Sequence, residues 1–152
     1  MSIRLETSKR TGINNDQDSQ ITQFDINICS KYLKEFPRAI KRTEICPLYN
    51  CHGLTFASRR TKIIERKFIE FIIRDDNYRL IELKDVLPGD IVMYYSENGD
   101  PNHSGIVVEM TRFGPLVCSK WGNSGEFIHL FNECPKIYGR IVKYYRCSHD
   151  KT

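Results

Sequence analysis

The feature that most constrains this chain is a change of texture near residue 78. Before it, apolar residues recur at helical spacing. Ile26, Ile28, Tyr32 and Leu33 follow Asp25; Leu54, Phe56 and Ala57 follow Cys51; Ile63, Ile64, Phe68, Phe71 and Ile72 follow Thr61. Asp25 and Thr61 are read as helix N-caps, with Pro37 and the Asp75-Asp76-Asn77 run as stops. After residue 78 the chain breaks into short runs rich in Ile, Val and Tyr, bounded by Gly, Pro, Asn and Asp. The runs are 78–83, 90–96, 104–110, 115–121, 126–130 and 138–146. Helices first and strands after predict an α+β domain, with N-terminal helices packed on a curved antiparallel sheet of about five strands.

The first 22 residues are dominated by Ser, Thr, Asn, Asp and Gln, with few large apolar groups. Such a segment buries too little surface to offset the entropy of ordering it. The reading is therefore a flexible polar segment over 1–22 and a single domain over 23–152. Charge is close to balanced, 23 basic against 19 acidic residues for a net +4, and the basic residues are scattered rather than striped. That argues against a nucleic-acid partner. No window approaches the roughly 18 apolar residues of a membrane span, and the first 25 residues show no secretory pattern. Synthesis in the cytoplasm with reduced thiols is the matching expectation for the six cysteines. None of them forms a C-x-x-C pair, so neither a structural metal nor a cofactor is expected.

Two residues carry candidate chemistry. Cys51 opens the second predicted helix, where unpaired backbone N–H groups favour a thiolate and can hold an oxyanion. His103 follows the polar loop 97–102 and precedes a strand, Ser104-Gly105-Ile106-Val107-Val108. An imidazole at a strand's edge can take a thiol proton and return it to a leaving amine.

Three stretches, in order, resemble one family. Asn50-Cys51-His52-Gly53-Leu54 resembles the Asp-Cys-Ser-Gly-Leu signature of NlpC-type papain-like cysteine peptidases. Leu87-Pro88-Gly89-Asp90-Ile91-Val92 resembles their Pro-Gly-Asp-Leu strand opening, and Asn102-His103-Ser104-Gly105-Ile106-Val107 their His-Val-Gly-Ile strand. The intervals also suit the related CHAP amidases, and the likeness covers about residues 45–122. The resemblance implies a papain-like fold, a Cys51 nucleophile, a His103 general base and cleavage of amide bonds, commonly in peptidoglycan peptides. Two positions depart from the family: Asn50 and His52 stand where Asp and Ser are usual. His52 is thus a rival base, but adjacent residues of a helix point about 100° apart and do not face each other, so His103 is preferred.

A symmetric hairpin over Thr111–Gly114 would set residue 103 opposite 122 and 105 opposite 120, bringing Asn123 near His103 and placing Ser119 on the other face. Asn123 and His129 are the two candidates for a third catalytic residue, and a dyad resting on a backbone acceptor is the alternative to both. Tyr49, His52 and Trp121 are candidate substrate-binding residues: Tyr49 as a donor to a tetrahedral intermediate, His52 as a shaper of the pocket, Trp121 as a groove floor or an imidazole shield. Core packing is the competing role for Tyr49 and Trp121. Two other functions fit the same motifs, a non-catalytic interaction module and a thiol acyltransferase. A peptidoglycan substrate without an export signal requires delivery by a phage or specialised secretion system, or an upstream region, or else the substrate is a cytosolic amide.

Overall fold

The computed structural model describes residues 1–148; the last four residues of the expected 23–152 domain lie outside them. Three helices, α1 (Gln23–Glu35), α2 (Cys51–Phe56) and α3 (Arg66–Asp75), flank one open antiparallel sheet. Its strands are β1 (Ile40–Lys41), β2 (Tyr78–Ile81), β3 (Ile91–Tyr95), β4 (Pro101–Thr111), β5 (Gly114–Lys120), β6 (Glu126–Leu130) and β7 (Ile141–Cys147), in the spatial order β1-β6-β5-β4-β3-β7-β2. The α+β expectation holds, but the sheet has seven strands rather than about five. The addition the sequence did not signal is β1, two residues long, pairing Ile40 with Ile128 and Lys41 with Phe127.

Local chemistry sets the helix ends. α1 starts earlier than expected: Thr22 is the N-cap, and its hydroxyl accepts from the Asp25 amide while the Asp25 carboxylate accepts from the Thr22 amide. Asp25 is thus the far half of a capping box rather than the cap itself. α3 starts later than expected. Thr61 does not cap it, because residues 61–65 are not helical: Lys62 bridges Asp16, and the extended Glu65 is the N-cap. Ile63 is buried, while Ile64 is 71 % exposed rather than part of the helix's apolar face.

Residues 1–22, expected to be loose, are laid against the domain. The Thr7 and Thr11 hydroxyls both donate to Asp75 at 2.6 Å, and Ile13 is buried beside Ile63 and Ile69. The segment is anchored through small polar side chains, which satisfy the C-terminal end of α3, together with the buried Ile13.

Strand alternation divides the core in two. Ile91 and Met93 face α3 with Phe68, Ile69 and Ile72; Val92 and Tyr94 face the other way with Val107, Val117, Trp121 and Phe127. α1 lies on this second side, where Tyr32 and Phe36 meet Trp121 edge-on at 5.3 and 5.2 Å. One irregularity decides which residues meet. β4 pairs Thr111 with Gly114 and Glu109 with Leu116, but Val107 with Val117 and Ile106 with Cys118. The bulge at Val108 breaks the symmetric hairpin and moves every later β5 residue one place. A one-place slip reverses the faces. Ser119 therefore shares a face with Gly105 and His103, and Lys120 turns to the α2 side.

No helix among the described residues is long and apolar enough to cross a membrane. The six cysteines are all unpaired, and no group of three or more potential metal ligands gathers among the described residues.

Candidate active site

Asn50 fixes the start of α2. Its side-chain oxygen accepts from the amides of Gly53 (2.9 Å) and Ile63 (3.1 Å), and its side-chain nitrogen donates to the Ile63 carbonyl at 2.8 Å. A carboxylate could make the first two bonds but not the third, which is the physical sense of Asn at this position. Gly53 is required as well: a Cβ there would stand 1.8 Å from the Thr61 carbonyl oxygen. The segment 61–63 thus grips both Asn50 and Gly53, and Cys51 between them is set at the rim of a cleft of about 460 Å³ lined by Asn50, His52, Ile63, Arg66 and Asn102. A larger cleft of about 910 Å³ lies beside it over α3, β2 and β7 and shares only Arg66 with it. No cysteine or histidine lines that second cleft, so its size does not make it the chemical site.

The Cys51 side chain is 8 % exposed. Burial pushes its thiol up to about 11, against the downward pull of the backbone amides of Ser104, His52 and Cys51 itself and of the Lys120 charge. His103 is 0 % exposed. Its ring stacks on Tyr138 with centroids 3.7 Å apart and planes 5° from parallel, and Tyr94, its cross-strand neighbour, lies at 5.3 Å. Neither ring nitrogen has a hydrogen-bond partner. Burial holds its pKa well below the usual histidine value, and the charges of His129 and His52 lower it further. The amide of Ser104, the residue after His103, pulls on the Cys51 sulfur, but His103 does not line the Cys51 cleft and no hydrogen bond joins the two side chains.

The other expected site residues are placed elsewhere. His52 is locked in one tautomer. Nε2 donates to the Pro101 carbonyl (2.9 Å), so Nδ1 accepts from the Ser104 hydroxyl (2.8 Å), and burial holds the ring down to about 4. It lines the cleft but has no nitrogen to spare. Asn123 does not reach His103: its amide donates to Asp25 at 3.1 Å and accepts from Lys62 at 2.7 Å. His129 does not reach it either. Nδ1 donates to the Leu130 carbonyl, and Nε2 accepts from Ser119, whose oxygen accepts from the Trp121 indole at 3.0 Å. Trp121 is fully buried, stacked on Phe127 at 4.1 Å, so of its candidate roles it fills that of core packing. Tyr49 is buried too, its hydroxyl donating to Glu126 away from the cleft.

The sequence reading did not anticipate the ionic groups beneath α2. Glu126 is fully buried, with Arg42 at 2.7 Å and Arg59 at 2.6 Å. Burial alone would raise its pKa, but the bonds from Arg59 and Tyr49 reverse this and hold it at about 2. Lys120, also fully buried, has no carboxylate against it among the described residues; its ammonium is surrounded by backbone carbonyls. The available signal was two opposite charges, Lys120 and Glu126, flanking the short turn between apolar strands.

Comparison with protein-family models, curated proteins and solved structures finds no match to this chain.

Proposed function

We propose that this chain is a cysteine-dependent amide hydrolase of papain-like type, with Cys51 as nucleophile and His103 as general base, acting on peptide amides of the kind found in peptidoglycan. The observation that carries the reading is the buried, unpartnered imidazole of His103, one residue before the Ser104 amide that pulls on the Cys51 sulfur. A buried polar group left without a hydrogen bond costs about 1–3 kcal/mol, and an apolar side chain would pack there without that cost. Such a cost is understandable where a lone pair must stay vacant for a reacting proton.

At rest the thiol and the imidazole are both neutral, by the directions of their pKa shifts. The thiol proton passes to the vacant nitrogen of His103 as sulfur attacks the carbonyl carbon, so charge separates only during reaction. The two groups must close on each other when substrate binds, as catalytic hydrogen bonds commonly do. The Cys51 amide is suited to receive the oxyanion. The imidazolium returns its proton to the leaving amine, and water cleaves the thioester. The substrate class comes from the motif resemblance alone.

The test is digestion of purified peptidoglycan and a panel of acyl amides by the wild type and by Cys51→Ala, read by mass spectrometry. Cleavage by the wild type alone is expected. Equal cleavage by both proteins, or none of any substrate by the wild type, overturns the reading. A second reading, a non-catalytic interaction module, is favoured by one observation: the thiol is pushed up to about 11 and bonds to no base. Absence of wild-type turnover would select it.

A further inference from the structure

Lys120 is a charged side chain with 0 % exposure. Removing an ammonium from water is costly unless its donors are satisfied, and here each finds an oxygen. Nζ donates to the carbonyls of Cys46 at 2.6 Å, Gly122 at 2.8 Å and Tyr49 at 3.1 Å, and it lies 4.7 Å from the Tyr49 ring centroid. Two of these carbonyls belong to the loop that runs into α2, and the third to the turn after β5. Glu126 is its cross-strand partner but directs its carboxylate to Arg42, Arg59 and Tyr49. The Val108 bulge is what turns Lys120 toward this loop.

We propose that Lys120 is a positioning residue for the nucleophile: its ammonium ties the loop 46–50 to the end of β5 and so sets where Cys51 meets the strand carrying His103. This rests on the reading of Cys51 as the nucleophile. The geometry needs all three N–H groups. A neutral amine has two, and its lone pair would face the third carbonyl oxygen. The clamp therefore works only while Lys120 is protonated. The titratable and charged groups facing it are Cys46 and Tyr49 in the loop, Cys51 on α2, Lys62 before α3 and Glu126 on β6. Burial brings the ammonium down to about 8, within reach of ordinary buffers.

Two substrate-free measurements test it. The first uses the wild type: amide hydrogen exchange over residues 46–51, corrected for intrinsic pH dependence, from pH 7 to 9. Exchange about tenfold faster above the lysine's titration is expected, since one hydrogen bond to a charged donor is lost. Flat corrected exchange overturns the proposal. The second is Cys51 alkylation by iodoacetamide, read on its own peptide. The wild-type log rate should depart from unit slope over the same interval, and Lys120→Arg, which keeps its charge, should restore unit slope. Identical profiles for wild type and a folded Lys120→Arg also overturn it; if that variant does not fold, the exchange measurement decides alone. Neither readout needs turnover, so an exchange step without amide cleavage would reject the hydrolase and keep the clamp.

Discussion

His103 and His129 lie on the same face of one sheet, both almost completely shut off from water, and their nitrogens are treated in opposite ways. His129 closes a chain in which every proton has a place: indole N–H to Ser119, Ser119 hydroxyl to Nε2, Nδ1–H to the Leu130 carbonyl. His103 is held by ring contacts alone, Tyr138 against one face and Tyr94 tilted beside it, with both nitrogens empty. His52, across the sheet, is satisfied like His129. Burial by itself therefore says little about function. The informative difference is whether the buried group has been given partners.

Replacing each histidine by leucine should separate the two kinds. His103→Leu removes the general base, and amide hydrolysis should fall by about 10²–10⁴-fold. The same change removes two unpaired nitrogens, so the urea midpoint should hold or rise, by about 1 kcal/mol in stability terms. A large loss of stability in His103→Leu would show that the ring is a packing residue and break the comparison.

His129→Leu should do the reverse. It strands the Ser119 hydroxyl proton in the core, at about 1–3 kcal/mol for one buried group left unpaired, while the Leu130 carbonyl keeps the Glu133 amide. Hydrolysis per folded molecule should be unchanged, because His129 does not touch His103. Loss of turnover in a fully folded His129→Leu protein would return it to the catalytic site.

Acid sharpens the contrast further. Burial holds His52 and His129 each at about 4, below the ordinary 6.5. Unfolded chains take up these protons from pH 6.5 downward, whereas the folded protein does not until about 4. Stability is therefore full above pH 6.5 and is lost as the pH falls toward 4, by up to about 1.4 kcal/mol per pH unit for each histidine. Urea midpoints between pH 8 and 4 check the slope, and His129→Leu should flatten it by its own share. A slope unaltered by that substitution would mean that the acid loss arises elsewhere.

The sequence was most informative where local rules decide the outcome. Cys51 opens a helix as expected, and each of the six strand runs overlaps a strand, because periodicity and turn residues are short-range signals. Three features escaped it for separable reasons. The segment 1–22 reads as unstructured by composition, yet Thr7 and Thr11 are hydrogen-bond partners of one carboxylate, Asp75, far along the chain. β1 is too short to leave a pattern. The bulge at Val108 occurs within Val107-Val108-Glu109-Met110, where no Gly or Pro marks it. That single unmarked residue reversed the faces assigned to Ser119 and Lys120, and with them the reading of which polar groups surround each end of the site.

The smallest effect concerns what holds His103 in place. If its nitrogens bond to nothing, the parallel Tyr138 ring at 3.7 Å should be its main restraint. Aromatic pairs contribute about 0.5–1.5 kcal/mol beyond their buried area. A double-mutant cycle of His103→Leu and Tyr138→Leu should therefore show a coupling of about that size, measured by urea unfolding at pH 7, where His103 is neutral. The aligned pair Ser119 and His129 gives the reference: its coupling should be larger, since a directional hydrogen bond is lost as well as contact. Equal couplings for the two pairs would mean that stacking alone immobilises His103 as firmly as a hydrogen bond does His129. The imidazole would then lack the freedom to close on Cys51, and the non-catalytic reading would gain at the expense of the hydrolase.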